Sequence, residues 1–395
     1  MNRWLIGVLA LTLGTLSANA QSLDDLNIQI HGYATQGFLY TTNNNIFTTT
    51  SSNGSPAWTD AVINVSAQPT PKLRIGVQGR YFLLGNFGNA ITLDWAAADY
   101  KANDRFGVRF GKVKTPWGLF NEIQDIDPSY IWALLPQGIY PVTSRNSVLT
   151  HYGGVVYGTF KLPSKLGKLE YRGYAGEGLY SGSDGYFVAF AQAGFTLPND
   201  IKGPIYGGAL HWRTPLSGLM VGGSDLKDTN WSASLNGIAG AQYGTYTLSS
   251  PETGTYSLAA NSQPNYFAIY DKDKIMVAYE YSRNWGNNLV QFPGEPDTYQ
   301  RNDDRSWYSM ASYKVSTKFT AGVYVDGNAD HQAPLGPSRY FKEWVFAARY
   351  DFNQFLYAKA EQHFIDGTGL GYDTTSNVNL QPNTRLTALK IGVSF

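Results

Sequence analysis

The chain has 395 residues, no cysteine, and 30 basic against 30 acidic residues, so its formal net charge is zero. The lack of cysteine excludes disulfide staples and thiolate metal sites, and the balanced charge excludes the one-sided basic surface of a nucleic-acid binder. Only 15% of residues are charged, whereas Gly (42), Tyr (28), Phe (20) and Trp (10) are abundant, which describes a strand-rich, aromatic-rich, secreted chain.

Taken in chain order, the first element is a secretory signal over residues 1–20. Met1, Asn2 and Arg3 make a short basic start, Trp4 to Leu16 an apolar stretch, and Ala18-Asn19-Ala20 a small-residue cleavage site. That run is too short and wrongly flanked for a spanning helix, and no later run approaches the ~20 apolar residues such a helix needs. Residues 21–395 are read as one domain.

From Leu26 onward, segments of about ten residues alternate polar and apolar, the pattern of a tilted membrane barrel strand. In Lys72 to Leu84, Leu73, Ile75, Val77, Tyr81 and Leu83 alternate with Lys72, Arg74, Gln78 and Arg80; 59–68 and 168–175 repeat the two-faced reading. Strands are predicted near 26–40, 58–68, 71–84, 90–101, 104–113, 149–160, 167–177, 204–213, 218–226, 264–271, 274–285, 304–315, 317–327, 341–351, 354–366 and 384–395. Short connections rich in Pro, Asn, Asp and Ser alternate with long ones, as an even-stranded barrel requires. Two further runs, 186–196 and 231–243, fall inside long loops and would raise the count from sixteen to eighteen. The expected fold is all-β, a transmembrane antiparallel β-barrel. Its last strand sets Leu389, Ile391, Val393 and Phe395 on one face, and a closing Phe on such a strand resembles the assembly signal of outer-membrane barrels.

With the apolar partner of each alternation facing lipid, the lumen receives Lys72, Arg74, Arg80, Arg105, Arg109, Lys168, Arg172, Arg213, Arg349, Lys359 and Lys390. Against these stand Asp60, Asp94, Glu170, Glu280, Glu343, Asp351 and Glu361. The basic excess predicts a mild anion preference; if the charges pair across strands, the same residues only keep the lumen wet. The connection 114–148 is aromatic, proline-punctuated and apolar from Ile131 to Leu135, unsuited to water. It is expected to fold inward as a constriction loop carrying Glu122, Asp125, Asp127 and Arg145, the alternative being contact with a neighbouring subunit.

The stretch Arg109-Phe110-Gly111-Lys112-Val113-Lys114-Thr115-Pro116-Trp117-Gly118-Leu119 resembles the corresponding stretch of the phosphate-selective porin superfamily, which includes the DcaP-like porins. The resemblance implies a homotrimer in the bacterial outer membrane, in contact with lipid bilayer and lipopolysaccharide, passing small hydrophilic or anionic solutes. Phosphate-selective members line the pore with arginines and a lysine cluster, whereas this loop is acidic at Glu122, Asp125 and Asp127. Two alternatives stand beside the channel. Asp303-Asp304 and Asp330-His331, in predicted outer loops, are similar in type to the groups of the omptin proteases, which implies a barrel-borne hydrolase; the loops 178–203 and 227–263 could serve an adhesin. The histidines, His31, His151, His211, His331 and His363, show no H-x-x-x-H spacing, and neither a G-x-S-x-G elbow nor a phosphate loop occurs. No cofactor or metal is expected.

Overall fold

In a computed structural model, the described residues are 26–395 apart from 183–184, 244–245, 371 and 373–375; the expected signal, residues 1–20, lies outside them. The period-two alternation gives each strand one apolar and one polar face, and these faces sort outside and inside because the sheet closes on itself. The strands are β1 (Gln29–Thr41), β2 (Ser55–Thr70), β3 (Leu73–Leu84), β4 (Phe87–Asn103), β5 (Phe106–Lys114), β6 (Thr150–Lys161), β7 (Lys168–Tyr180) and β8 (Ile201–Arg213). They continue as β9 (Leu219–Gly237), β10 in two segments (Glu252–Ser262 and Asn265–Lys272), β11 (Ile275–Gln291), β12 (Thr298–Lys314), β13 (Phe319–Asp330), β14 (Tyr340–Asp351), β15 (Leu356–Gly367) and β16 (Asn383–Ser394). Each pairs antiparallel with the next, and β16 closes on β1 from Tyr33↔Ser394 to Thr41↔Leu386.

The wall therefore has sixteen strands. Run 231–243 is no extra strand: most of it extends β9, which is 19 residues long. Run 186–196 holds a five-residue helix, Val188–Gln192, and a two-residue strand, Phe195–Thr196, that pairs with the end of β9. The expected loop 227–263 is largely strand, because Glu252–Ser262 pairs with β9 and β11 as the upper half of β10. Alternation is lost at Gln263-Pro264, where proline cannot donate to the ladder, and the strand resumes at Asn265.

Connections 71–72, 104–105, 162–167, 214–218, 273–274, 315–318 and 352–355 sit at one end of the barrel and the longer ones at the other. By the rule for outer-membrane barrels the short end is periplasmic. Ile63, Ile75, Val77, Phe110, Leu210, Val277, Tyr279, Trp344, Phe346 and Ile391 are exposed on the outer face. A belt of this size would be untenable in water and suits hydrocarbon.

The interior is packed. Trp117, Phe120, Trp132, Leu135, Ile139 and Tyr140 from the connection 115–149 are buried against Val113, Tyr308 and Tyr324 of the wall. Ala133 and Leu134 join Leu39, Trp58, Leu386 and Ala388 on the other side. At about 1.5–3 kcal/mol for each large apolar side chain withdrawn from water, this burial fixes the connection inside the barrel.

Candidate functional site in the lumen

Loop 115–149 leaves β5 and returns at β6 through a neck closed by the Thr115 N–H to Leu149 O bond (2.9 Å) and Thr115 Oγ1 to His151 Nδ1 (3.0 Å). Its polar contacts run round the ring. Trp117 Nε1 donates to Gln263 O (2.7 Å), at the break in β10, and Gly118 N donates to Ser224 Oγ of β9 (2.9 Å). Glu280 of β11 accepts from Leu119 N (2.9 Å), Tyr140 OH (2.7 Å) and Asn265 Nδ2 (2.7 Å), and from Tyr308 OH. Burial and then the Glu280 carboxylate push the Tyr140 phenol well above its ordinary value, so it stays a donor.

On β15, Glu361 accepts from Ala133 N (2.8 Å) and Leu134 N (3.0 Å). Arg349 of β14 donates to Pro128 O (2.6 Å) and Tyr130 O (3.1 Å), and Asp326 of β13 accepts from Gly138 N (3.2 Å). A segment that bonds to β9–β11 and β13–β15, and also reaches Tyr33 of β1 and Gln78 of β3, can lie only inside the barrel.

The remaining space borders β1 to β5. A cavity of about 600 Å³ on the periplasmic side of the loop is lined by Arg74, Gln78, Asp99, Arg109, Glu122 and Asp125, among others. A second, of about 360 Å³, lies on the other side against Arg80, Asp94 and Arg145. Between the two, Gln78 Nε2 bonds Asp125 Oδ2 (2.6 Å) and Asp94 Oδ2 (3.1 Å), a bridge from wall to loop.

No family model matches the chain, and no curated protein matches it by sequence. Solved structures do. The outer membrane channel DcaP of Acinetobacter baumannii superposes with TM-score 0.53 at 10% identity, over 95% of this chain and 99% of that one. An anion-selective porin from Comamonas acidovorans gives 0.53 at 8%, over 93% and 99%. OmpT, an outer membrane protein of Vibrio cholerae, in its trimer form gives 0.51 at 13%, over 93% and 99%. At such identities the likeness is one of fold, and it agrees with the closed wall and the apolar belt. The chain is an outer-membrane β-barrel.

Within this outer-membrane barrel most of the expected lumen charges are paired. Arg80 holds Asp60 through Nε at 2.7 Å and a terminal nitrogen at 2.8 Å, both residues buried. Arg145 meets Asp94 at 2.8 Å, and Lys114 meets Asp125 at 2.7 Å. Glu122 lies between Arg109 (3.5 Å) and Arg172 (3.3 Å), so the loop carboxylate joins β5 to β7. Arg172 also approaches Glu170 (3.6 Å), which pairs with Arg213, and Arg349 pairs with Asp351 (2.8 Å). Arg74 donates to Ser66 Oγ (3.1 Å) and makes no ion pair among the described residues. Lys72 and Arg105 are exposed in periplasmic turns. Asp127 faces away from the open side: it is buried against Lys359, Lys390 and Tyr357.

Gln78, Asp99 and Lys114 also line the larger cavity, although the sequence does not mark them as site residues. The register between β3 and β4 shifts beside Asp94, where Gln78 pairs Trp95 but Gly79 pairs Leu93. The bulge reverses the parity below it, so Asp99 turns inward and Arg109 Nε reaches it at 3.1 Å. Register alone then places Arg74, Asp99 and Arg109 in one row across β3, β4 and β5. Of the residues considered for hydrolysis, Asp304 of β12 stands opposite Asp330 of β13. Asp303 and Asp304 are adjacent on β12 and face opposite sides, and Asp303 is held by Arg283 and Arg305.

Proposed function

We propose that the barrel is a porin, a passive channel for small hydrophilic solutes across the outer membrane. The observation that carries this reading is the placement of loop 115–149: it packs along β9–β16 and leaves a charged cavity of about 600 Å³ against β1–β5. The descriptions of two similar structures, an outer membrane channel and an anion-selective porin, support it. Solutes would pass between Glu122 and Asp125 on the loop and Arg74, Arg80, Arg109 and Arg172 on the wall, and rows of opposed charge would orient them by their dipoles.

Ion pairing reduces the field from most of these groups, leaving Arg74 as the cation facing the cavity without a carboxylate. A weak anion preference follows, in line with the resemblance to the phosphate-selective and DcaP-like porins. The shared neutralisation of Arg109 and Arg172 by Glu122 argues against strong phosphate selectivity. Residues 1–20 serve as the export signal in this reading, and the functional unit is a homotrimer embedded among outer-membrane lipids. Support for assembly comes from β4, whose pairing with β5 covers only residues 96–103; among the described residues, no strand covers Phe87–Trp95 on that edge.

Single-channel recording from the refolded full chain in planar bilayers, with reversal potentials under a salt gradient, tests this. Stepwise openings with a small reversal potential towards anions are expected. A demonstrably folded barrel that passes no current would end the open-channel reading.

A further inference from the structure

We propose that four asparagines on the inner face of β10–β12, just above the break in β10, form a calcium site centred on Gly286. Gly286 belongs to the inward set of β11, with Asn284 and Asn288 two residues to either side of it. Register puts Asn261 of β10 opposite Gly286 on one flank and Asn302 of β12 opposite it on the other, and Asp304 opposite Asn284. Directly opposed side chains in a sheet start about 5 Å apart, and same-face neighbours along a strand roughly 7 Å. Five polar side chains thus ring one position that has no side chain of its own. The Asn261 amide oxygen leans into the space that a Cβ at Gly286 would fill.

The ring is short of donors. Oδ1 of Asn261, Asn284, Asn288 and Asn302 is in each case buried without a hydrogen-bond partner, and so is Nδ2 of Asn302. Buried polar groups are normally paired, so four unpaired acceptors around one glycine call for a cation. Charge points the same way. Asp304 makes no ion pair among the described residues and faces a second carboxylate, Asp330 of β13. Asp228 of β9, fully buried opposite Asn261, likewise has no ion pair among them. Arg283, Arg301 and Arg305 occupy the alternate positions of β11 and β12 and face outward.

The donor set selects the ion. Among the described residues no three His, Asp or Glu side chains converge on a metal, and the oxygens here are mostly neutral amides, hard ligands that suit calcium rather than zinc. Calcium takes about six to eight such oxygens in irregular geometry, whereas magnesium demands a near-ideal octahedron and keeps its water. The unpaired carboxylates of Asp228 and Asp304, on either flank, match a divalent charge. A bound ion would tie β10, β11 and β12 together directly above Gln263-Pro264, where the ladder of β10 is interrupted. This inference rests on strand register and is independent of whether the lumen conducts.

The test is equilibrium dialysis of radioactive calcium against the full chain refolded in detergent, free of lipopolysaccharide that would itself hold the ion. Folding is checked by heat-modifiable gel migration, and thermal unfolding is followed in calcium and in EDTA. Wild type should bind a single calcium with a dissociation constant on the order of 1 mM or below, as for extracellular calcium modules, and unfold at a higher temperature in calcium than in EDTA. Asp304→Asn keeps an oxygen and loses the charge, and should weaken binding on the order of tenfold. Asn302→Ala should weaken it similarly while leaving the midpoint in EDTA unchanged or raised, because it removes a buried group that has no partner. Absence of calcium uptake by folded wild type would overturn the site and leave its carboxyls to be neutralised by protons. Uptake at the wild-type level in both folded variants would place the ion elsewhere. Equal uptake of magnesium would also overturn it, as the mark of hydrated ions held by charge alone.

Discussion

Lys359 and Lys390 stand directly opposite each other on β15 and β16, and both ammonium groups meet on the carboxylate of Asp127, at 3.0 and 2.8 Å. Two facing lysines on the inner wall would repel in a dry interior. The loop supplies their counter-ion, and Lys359 and Lys390 also donate to Trp132 O (2.9 Å) and Ala133 O (2.9 Å). The loop is thus fastened by charge to β15 and β16. Removing one member of a buried ionic group commonly costs about 3–5 kcal/mol. Asp127→Asn should lower the thermal unfolding midpoint and make single-channel current noisier as the loop loosens. A variant with wild-type midpoint and quiet current would show that the apolar packing holds the loop alone.

The same anchor sets a pH dependence. Burial by itself would raise the Asp127 carboxyl, but Lys359 and Lys390 outweigh it and hold the group far below the usual carboxylate range. A carboxyl depressed in the folded state contributes stability above its unfolded value, near 4, and loses it as pH falls through the folded value. Conductance noise should therefore be flat from pH 7 to about pH 4.5. Loop release by this route is confined to strongly acidic solution, and a noise transition between pH 5 and 6 in wild type that Asp127→Asn abolishes would contradict it.

Glu122 is a shared counter-ion of Arg109 and Arg172, which keep Asp99 (3.1 Å) and Glu170 (3.6 Å) as their other partners, so neutralising it removes one negative charge from beside both guanidiniums. Both arginines are partly exposed, and screening limits each pair to about 1 kcal/mol or less; folding should barely change. The selectivity should change more, because the wall gains net positive charge beside the cavity. Glu122→Gln is expected to move the reversal potential further towards anions, with Arg109→Gln moving it back. An unchanged reversal potential in Glu122→Gln would place the selective step elsewhere.

Strand count, closure and the inward course of the loop were legible because each follows from local pattern: alternation for the wall, and an apolar, proline-marked segment too greasy for solvent. Strand ends facing the long loops were less so. Beyond the membrane the outer face turns polar, so the upper half of β10 reads as loop, and the run 231–243, although it alternates, reads as separate from β9 while the ladders continue. Asp99 escaped notice because one bulged residue inverts inward and outward below Asp94. The direction of Asp127 was hidden for another reason. Three acidic residues within six positions look alike in sequence, and only the wall decides which meets lysines and which meets the open side.

The uncovered edge of β4 allows a last prediction, concerning assembly. Phe87–Trp95 is paired with β3 on one side, but β5 has turned into the loop before reaching this level. Ile91 is 82% exposed there, and Lys112 Nζ bonds Leu93 O. Unpaired backbone facing hydrocarbon costs several kcal/mol per group, so a neighbouring subunit covering this edge would gain both hydrogen bonds and apolar contact. Ile91→Asp places a charge on that edge without touching the lumen. It should convert a trimer on unheated gels, or in analytical ultracentrifugation, to a monomer whose single-channel conductance per barrel is unchanged. If the variant remains trimeric, the subunits meet through another face of the wall.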